Sequence, residues 1–324
     1  MSDSASKPLN KPQPLSEIQG EAEQWFITAD GTKLFFHISN PPDAKGPPFV
    51  LCDGLGCDGY VWKYLRRNFG ANHPMIHIHY RGHGKSDVPT DLTTITVEKT
   101  VSDFQQILGA IGLEEAIFCG HSMGVQVALE YFRHRPKSVK GLVLLCGSYE
   151  FPLHTWHGGH DPSFPTPFSN RVMKKVFPLV SGSMIHFSRF LNPIWKRMMA
   201  TELSFQIGAR LELNPHRVKK EDFMPYLEHL SQMDMRVFGH MARSLAEHSA
   251  ADILPSIEIP TLVVAGGKDT FTPAWLSQQM HWRIRGSEYL CISDGSHTTP
   301  IEHPDMLNLR FAKFLEKHYE GGSL

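Results

Sequence analysis

The chain has 324 residues, 41% of them hydrophobic and 20% charged, with a mean hydropathy of −0.25. That composition fits a globular protein with one large domain carrying an insert, or with two domains. A formal net charge of −1 gives no electrostatic reason to expect nucleic acid or an anionic membrane as partner. No apolar run approaches the length that spans a bilayer, and the Pro-, Ser- and Lys-rich start, Met1 to Leu15, lacks the apolar stretch of a signal peptide, so a reducing cytoplasm is the expected compartment. Five cysteines without a C-x-x-C pair argue against a zinc knuckle or redox couple. Cys119, Cys146 and Cys291 lie in apolar runs that predict small buried packing.

In chain order, residues 1–20 read as a disordered lead-in. Gln24–Thr28 and Lys33–Ile38 are β-prone runs joined by Ala29-Asp30-Gly31, a hairpin signal. Pro47–Cys52 predicts a strand running into the glycine-punctuated Asp53–Tyr60, and a short helix is expected over Val61–Asn68. Met75–Tyr80 alternates as a strand before a second glycine loop, Arg81–Asp87. Val97, Val101, Phe104, Leu108 and Ile111 form one helical stripe. Ala116–Cys119 predicts a buried strand, Val125–His134 a helix ending before Pro136, and Lys140–Cys146 another strand.

Strands alternating with helices predict a mostly parallel sheet covered on both faces, with functional loops at the carboxyl ends of the strands. Residues 149–255 break the pattern. They show no convincing strand, and helical patches fall around 171–180, 194–205 and 224–248. The alternation resumes with strands at Thr261–Ala265 and Tyr289–Ile292 and helices at Ala274–Ile284 and Asp305–Tyr319. The expected organisation is therefore a core of residues 21–148 and 256–324 with a helical cap, 149–255, over the strand ends.

The chemistry centres on Gly120-His-Ser-Met-Gly124, lying between a predicted strand and a predicted helix. Alone, G-x-S-x-G is a weak signal. In this setting it reads as a nucleophile elbow, a turn so tight that the neighbours of Ser122 must be nearly free of side chains. The turn also aims the Met123 N–H at the place where an oxyanion would form. A serine hydroxyl needs a histidine base, and the histidine needs an anion to orient it. Asp269 and His297 stand just past the last two predicted strands, and the order Ser122, Asp269, His297 suits this architecture. Asp294 is the rival acid, read as a turn former; Glu302 is read as a brace for the His297 loop. Gly54-Leu-Gly56 follows the third strand, which makes the Leu55 N–H the candidate second oxyanion donor.

With these motifs, the chain resembles the α/β-hydrolase superfamily, in the branch with a helical cap between the sixth and seventh core strands, from about residue 21 to 320. The motifs are Asp53-Gly-Leu-Gly, Arg81-Gly-His-Gly-Lys-Ser, Gly120-His-Ser-Met-Gly, Gly267-Lys-Asp-Thr-Phe-Thr-Pro and Gly295-Ser-His-Thr-Thr-Pro. The resemblance implies an eight-stranded sheet, Ser122 as nucleophile, His297 as base, Asp269 as orienter, and Leu55 and Met123 as oxyanion donors. Two positions depart from the family pattern. Asp53 stands where a histidine is usual, and His79 where an aspartate is usual.

The expected activity is cofactor-independent hydrolysis of carboxylic esters through an acyl-enzyme, without a metal. An apolar group in the substrate is expected from Phe164, Phe168, Phe177, Met184, Phe187, Phe190, Trp195, Met198, Met199 and Phe205 in the cap. The same triad also serves C–C hydrolases, thioesterases, perhydrolases and acyltransferases, and a ligand receptor on this scaffold belongs to a different class altogether. Gly84-Lys-Ser86 fails as a phosphate loop, because a glycine is needed where His79 stands. His154, His157 and His160 with Asp161 could be read as metal ligands, against the bland reading of a histidine-rich loop. Lys219-Lys-Glu-Asp222 is an ordinary solvated patch.

Overall fold

The computed structural model describes residues 12–150, 168–199, 201–211, 213–214 and 217–320. Eight strands form one sheet: β1 (Gly20–Ile27), β2 (Lys33–Asn40), β3 (Phe49–Cys52), β4 (Met75–Ile78), β5 (Ala116–His121), β6 (Val139–Leu145), β7 (Thr261–Gly266) and β8 (Glu288–Ile292). Their order is β1-β2-β4-β3-β5-β6-β7-β8. β2 runs antiparallel to both of its neighbours, and the remaining pairs are parallel.

The predicted helices appear with small shifts. They are α1 (Lys63–Phe69), α2 (Val97–Ala110), α3 (Met123–His134), α9 (Ala274–Arg283) and α11 (Pro304–Tyr319), the last preceded by a short α10 (Thr299–Glu302) that was not expected. Between β6 and β7 stand α4 (Phe168–His186), α5 (Ser188–Met199), α6 (Glu202–Leu211), α7 (Lys220–Gln232) and α8 (Met235–Glu247). The continuous patch expected over 224–248 is two helices, because Asp234 breaks it: its backbone is extended and its carboxylate caps the Arg236 N–H.

Strand alternation builds two cores. Val50, Cys52 and Phe118 face a layer that holds Phe104 and Leu108 of α2, Val125 and Leu129 of α3, and Met280 of α9. Phe49, Leu51 and Ile117 face Leu65 and Phe69 of α1 and Phe311 and Phe314 of α11. β5 lies at the centre with every residue buried, which is why it reads as one apolar run rather than an alternation.

Two expectations change. Composition made residues up to 20 a disordered lead-in. Instead Leu15–Glu17 forms a 3-10 turn, Ile18 is buried, and Asn40 Nδ2 donates to the carbonyls of Leu15 and Ile18 at 3.0 and 2.9 Å. Apolar Leu15 and Ile18, flanked by prolines and polar residues, supply the anchor. Cys291, expected to be buried, is exposed because β8 is an edge strand.

The insert leaves and rejoins the core at one place. Ala250 N donates to Tyr149 O at 2.8 Å, and Glu150 bridges Ser249. The loop after β4 is pinned from below: Arg81, fully buried, grips both carboxylate oxygens of Asp103 on α2 at 2.7 and 2.8 Å and donates to Thr94 Oγ1 at 2.7 Å. Removing one member of a buried pair leaves an uncompensated charge. Arg81→Met is therefore expected to cost about 3–5 kcal/mol in urea unfolding. The double variant Arg81→Met/Asp103→Leu should recover much of that loss.

Candidate active site

Ser122 sits where β5 turns into α3, with φ 55° and ψ −118°, left-handed backbone forced on a residue that carries a side chain. The two glycines of the motif have a steric reason. A Cβ on Gly120 would overlap the Gly124 carbonyl, and one on Gly124 would overlap the Cys52 carbonyl at the end of β3. The start of α3 is thereby set directly against the strand that leads into Asp53–Gly56. A Cβ on Gly54 would lie 3.2 Å from Ser122 Cβ, so this loop and the serine are neighbours. Met123 opens α3, and its N–H belongs to the first turn, where intrahelical acceptors are missing.

Loops after β7 and β8 bring up the other two side chains. His297 Nε2 lies 2.9 Å from Ser122 Oγ, and His297 Nδ1 lies 2.9 Å from Asp269 Oδ2. The Asp269 carboxylate is buried, and its Oδ1 accepts the N–H groups of Phe271 and Thr272 at 2.9 and 2.8 Å. Ser122, Asp269 and His297 thus meet in one hydrogen-bonded line, and the Leu55 and Met123 segments flank Ser122. An anion on one side of an imidazole fixes its tautomer, so the far nitrogen is free to accept the serine proton.

The surrounding groups include several that the motifs alone do not mark. Thr272 Oγ1 is 2.8 Å from both Asp269 Oδ2 and Cys146 O, with one proton to share between them. Cys146 leaves β6 with φ 43°, the second left-handed non-glycine residue among those described. The signal for Thr272 was present as a hydroxyl three residues after an aspartate, a turn pattern. Cys146 carried none, since its partner is far away in sequence. His121 Nε2 lies 2.9 Å from the His297 carbonyl; that oxygen only accepts, so Nε2 carries the proton.

Glu302 does brace the His297 loop. It accepts from Ser296 N at 2.7 Å, from Thr298 Oγ1 at 3.0 Å and from the Ser296 hydroxyl. It also accepts from Asn214 N of the insert at 2.7 Å, tying the insert to that loop. Asp294 is occupied elsewhere, 3.1 Å from Arg217. His154, His157, His160 and Asp161 lie outside the described residues.

The two departures from the family pattern take on a physical meaning. The buried Asp53 carboxylate accepts from Trp62 Nε1 and meets His77 Nε2, both at 2.7 Å, and its carbonyl accepts from Tyr80 OH at 3.0 Å. Burial by itself would raise this carboxyl, but the charge and hydrogen bond of His77, with His79 and Trp62, hold it below the ordinary range. His79 accepts Lys85 N at 2.9 Å, and burial pushes it down to about 2. The acid thus stands on β3's loop and the imidazoles on β4 and the residue just beyond it, and Asp53 is held from three directions.

The carboxyl ends of parallel strands therefore carry a hydroxyl, an imidazole and a carboxylate in line, the arrangement of hydrolytic α/β proteins. The chain belongs to the α/β-hydrolase fold family, whose sequence profile matches residues 47–304. It is 22% identical over 297 residues to epoxide hydrolase 3 of Xenopus tropicalis, covering 91% of this chain and 78% of that protein. It is 23% identical over 288 residues to 3-oxoadipate enol-lactonase 1 of Acinetobacter baylyi, covering 88% and 94%. Among solved structures, an esterase from Exiguobacterium antarcticum superposes with a TM-score of 0.70 at 20% identity, over 92% of this chain and all of that one.

Buried neutral histidines make a pH prediction. Burial pushes His83 and His121 down to about 4, and His83 Nε2 and His121 Nδ1 have no hydrogen-bond partner among the described residues. An unfolded chain binds these protons near pH 6.5, whereas the folded chain refuses them until about pH 4. Stability is then complete above pH 6.5 and falls as pH drops toward 4, by up to about 1.4 kcal/mol per pH unit for each histidine. Urea unfolding across that range should show the slope, and His83→Gln should lower it by one proton.

Proposed function

We propose that this protein hydrolyses carboxylic esters with a hydrophobic acyl or alcohol part, through an acyl-enzyme on Ser122. The observation that carries this reading is the pair of 2.9 Å contacts that run from the Ser122 hydroxyl through His297 to Asp269. His297 Nε2 takes the serine proton as Oγ attacks the acyl carbonyl. The oxyanion is received by the Met123 and Leu55 N–H groups. His297 then protonates the leaving alkoxide, and water, activated by the same nitrogen, releases the acid and restores the serine. One backbone donor to an oxyanion is worth about 10²–10³ in rate, so the loop bearing Leu55 carries a substantial share of the rate beside the base.

The serine also favours acyl transfer over the epoxide opening named for one relative. A serine alkoxide that opened an epoxide would be left as an ether, which water does not release. An open ester or a lactone, by contrast, gives an acyl-enzyme that water can cleave.

The apolar preference has a local basis. Leu230 of α7 and Phe238 of α8 sit against Gly56 in the loop of the proposed oxyanion donor, and the Trp195 ring of α5 lies tilted beside Phe238 with centroids 5.9 Å apart. In this reading the insert is a cap whose inner side chains meet the substrate. Phe205 packs toward Phe223, while Phe187, Phe190 and Met198 face solvent and are removed from the expected pocket wall. Phe164 lies outside the described residues.

Turnover of p-nitrophenyl esters of graded chain length tests the proposal. Medium chains should outperform acetate, and a serine-directed phosphonate should label Ser122 and abolish activity. Ser122→Ala should remove essentially all turnover, and Asp269→Asn should lower kcat by about 10⁴. Activity that survives Ser122→Ala would refute the assignment. Turnover of thioesters or vinylogous diketones with esters untouched would move the bond cleaved while keeping the triad. Absence of both turnover and labelling would favour a ligand receptor.

A further inference from the structure

The outer helices of the insert carry apolar side chains on both faces, with Trp195, Met199 and Ile185 turned inward and a second set turned to solvent. On α5 the buried or half-buried side carries Ser188, Asn192, Trp195 and Met199, with Asn192 and Trp195 hydrogen-bonded to α7 and α8 or the turn between them. The opposite stripe carries Phe190, Ile194 and Met198, which are 71%, 56% and 49% exposed. On α4 the fully buried residue is Ser181, close to Gly239 of α8, while Leu179 is 70% exposed. The two stripes meet at Phe187, 58% exposed at the corner between the helices. An ordinary surface helix keeps its outer face polar. Scattered exposed apolar residues need no explanation, but a contiguous stripe rimmed by polar groups marks a contact surface.

Charge identifies the partner. Residues 162–201 hold six Lys and Arg and no Asp or Glu, an imbalance hidden by the net charge of −1 for the whole chain. Lys175, Arg189, Lys196 and Arg197 flank the stripe, all exposed and none in an ion pair among the described residues. A second copy of the chain would bring the same cations face to face across a two-fold contact, which is repulsive. Aromatic and aliphatic side chains on one face, on helices that carry cations and no acidic residue of their own, suit the boundary between headgroups and acyl chains of an anionic bilayer. No helix among the described residues is long and apolar enough to cross a membrane, so the contact would lie in the plane of the interface.

We propose that the α4–α5 face of the insert docks on anionic phospholipid surfaces, with Leu179, Phe187, Phe190 and Ile194 entering the interface and the flanking Lys and Arg residues pairing with headgroups. This docking is independent of the reaction at Ser122. The test is flotation of the full chain with vesicles of phosphatidylcholine alone and of phosphatidylcholine containing about 30 mol% phosphatidylglycerol, at low and high salt. The protein should float with the anionic vesicles at least about tenfold better than with the neutral ones, and high salt should release it. Phe187→Asp/Phe190→Asp should abolish binding. Each single charge removal, Lys196→Ala or Arg197→Ala, should weaken it about fivefold. All four positions are exposed, so melting temperature and circular dichroism should match the parent and separate lost docking from lost folding. Binding that survives the double aspartate variant overturns the proposal. So does a dimer by light scattering that the same variant dissociates while the parent ignores vesicles. A monomer that ignores both vesicle types overturns it as well.

Discussion

The site depends on a place where a methyl group cannot fit. Gly124 lies against the Cys52 carbonyl, and that contact locks the first turn of α3 onto the end of β3. Because the two backbones touch, the side chain at 122 and the loop beginning at Asp53 share one small volume. The strain at Ser122 follows from the same constraint: a strand must become a helix within one residue while staying pressed on its neighbour. Everything else in the region serves to bring an imidazole to that fixed point.

Bringing it there takes more side chains than Ser122, His297 and Asp269 alone. Asp269 is held by two amides and a threonine, that threonine by the Cys146 carbonyl, and the His297 backbone by His121 on one side and the Glu302 network on the other. A loop without such ties would lose orientation to the many conformations open to it, and reaction geometry is lost over fractions of an ångström. The supports come from β5, β6, the loops after β7 and β8, and α10, so the sheet acts as a jig for five separate segments.

Legibility in the sequence followed the range of the interaction. The elbow, the strand ends at Asp269 and His297, and the Glu302 brace are local patterns, or follow from strand order, and could be read from one stretch at a time. The pairings of Asp53 with His77 and of Thr272 with Cys146 cross between segments, and no spacing rule encodes them. The insert failed for a different reason. Its outer helices place serine inside and phenylalanine outside, so a reading that assigns apolar residues to the interior puts Phe187 and Phe190 on the wrong side. The ordered segment around Leu15 and Ile18 was missed because two apolar anchors are too few to outweigh the prolines around them.

The insert's two ends are joined by a single backbone bond and a bridge, at Tyr149 with Ala250 and at Glu150 with Ser249. About a hundred residues therefore leave and return through what is, to the sheet, one seam. Exchanging that excursion would also cut the bond from Asn214 N to Glu302, so a graft has to restore this second tie for the loop bearing His297 to keep its place.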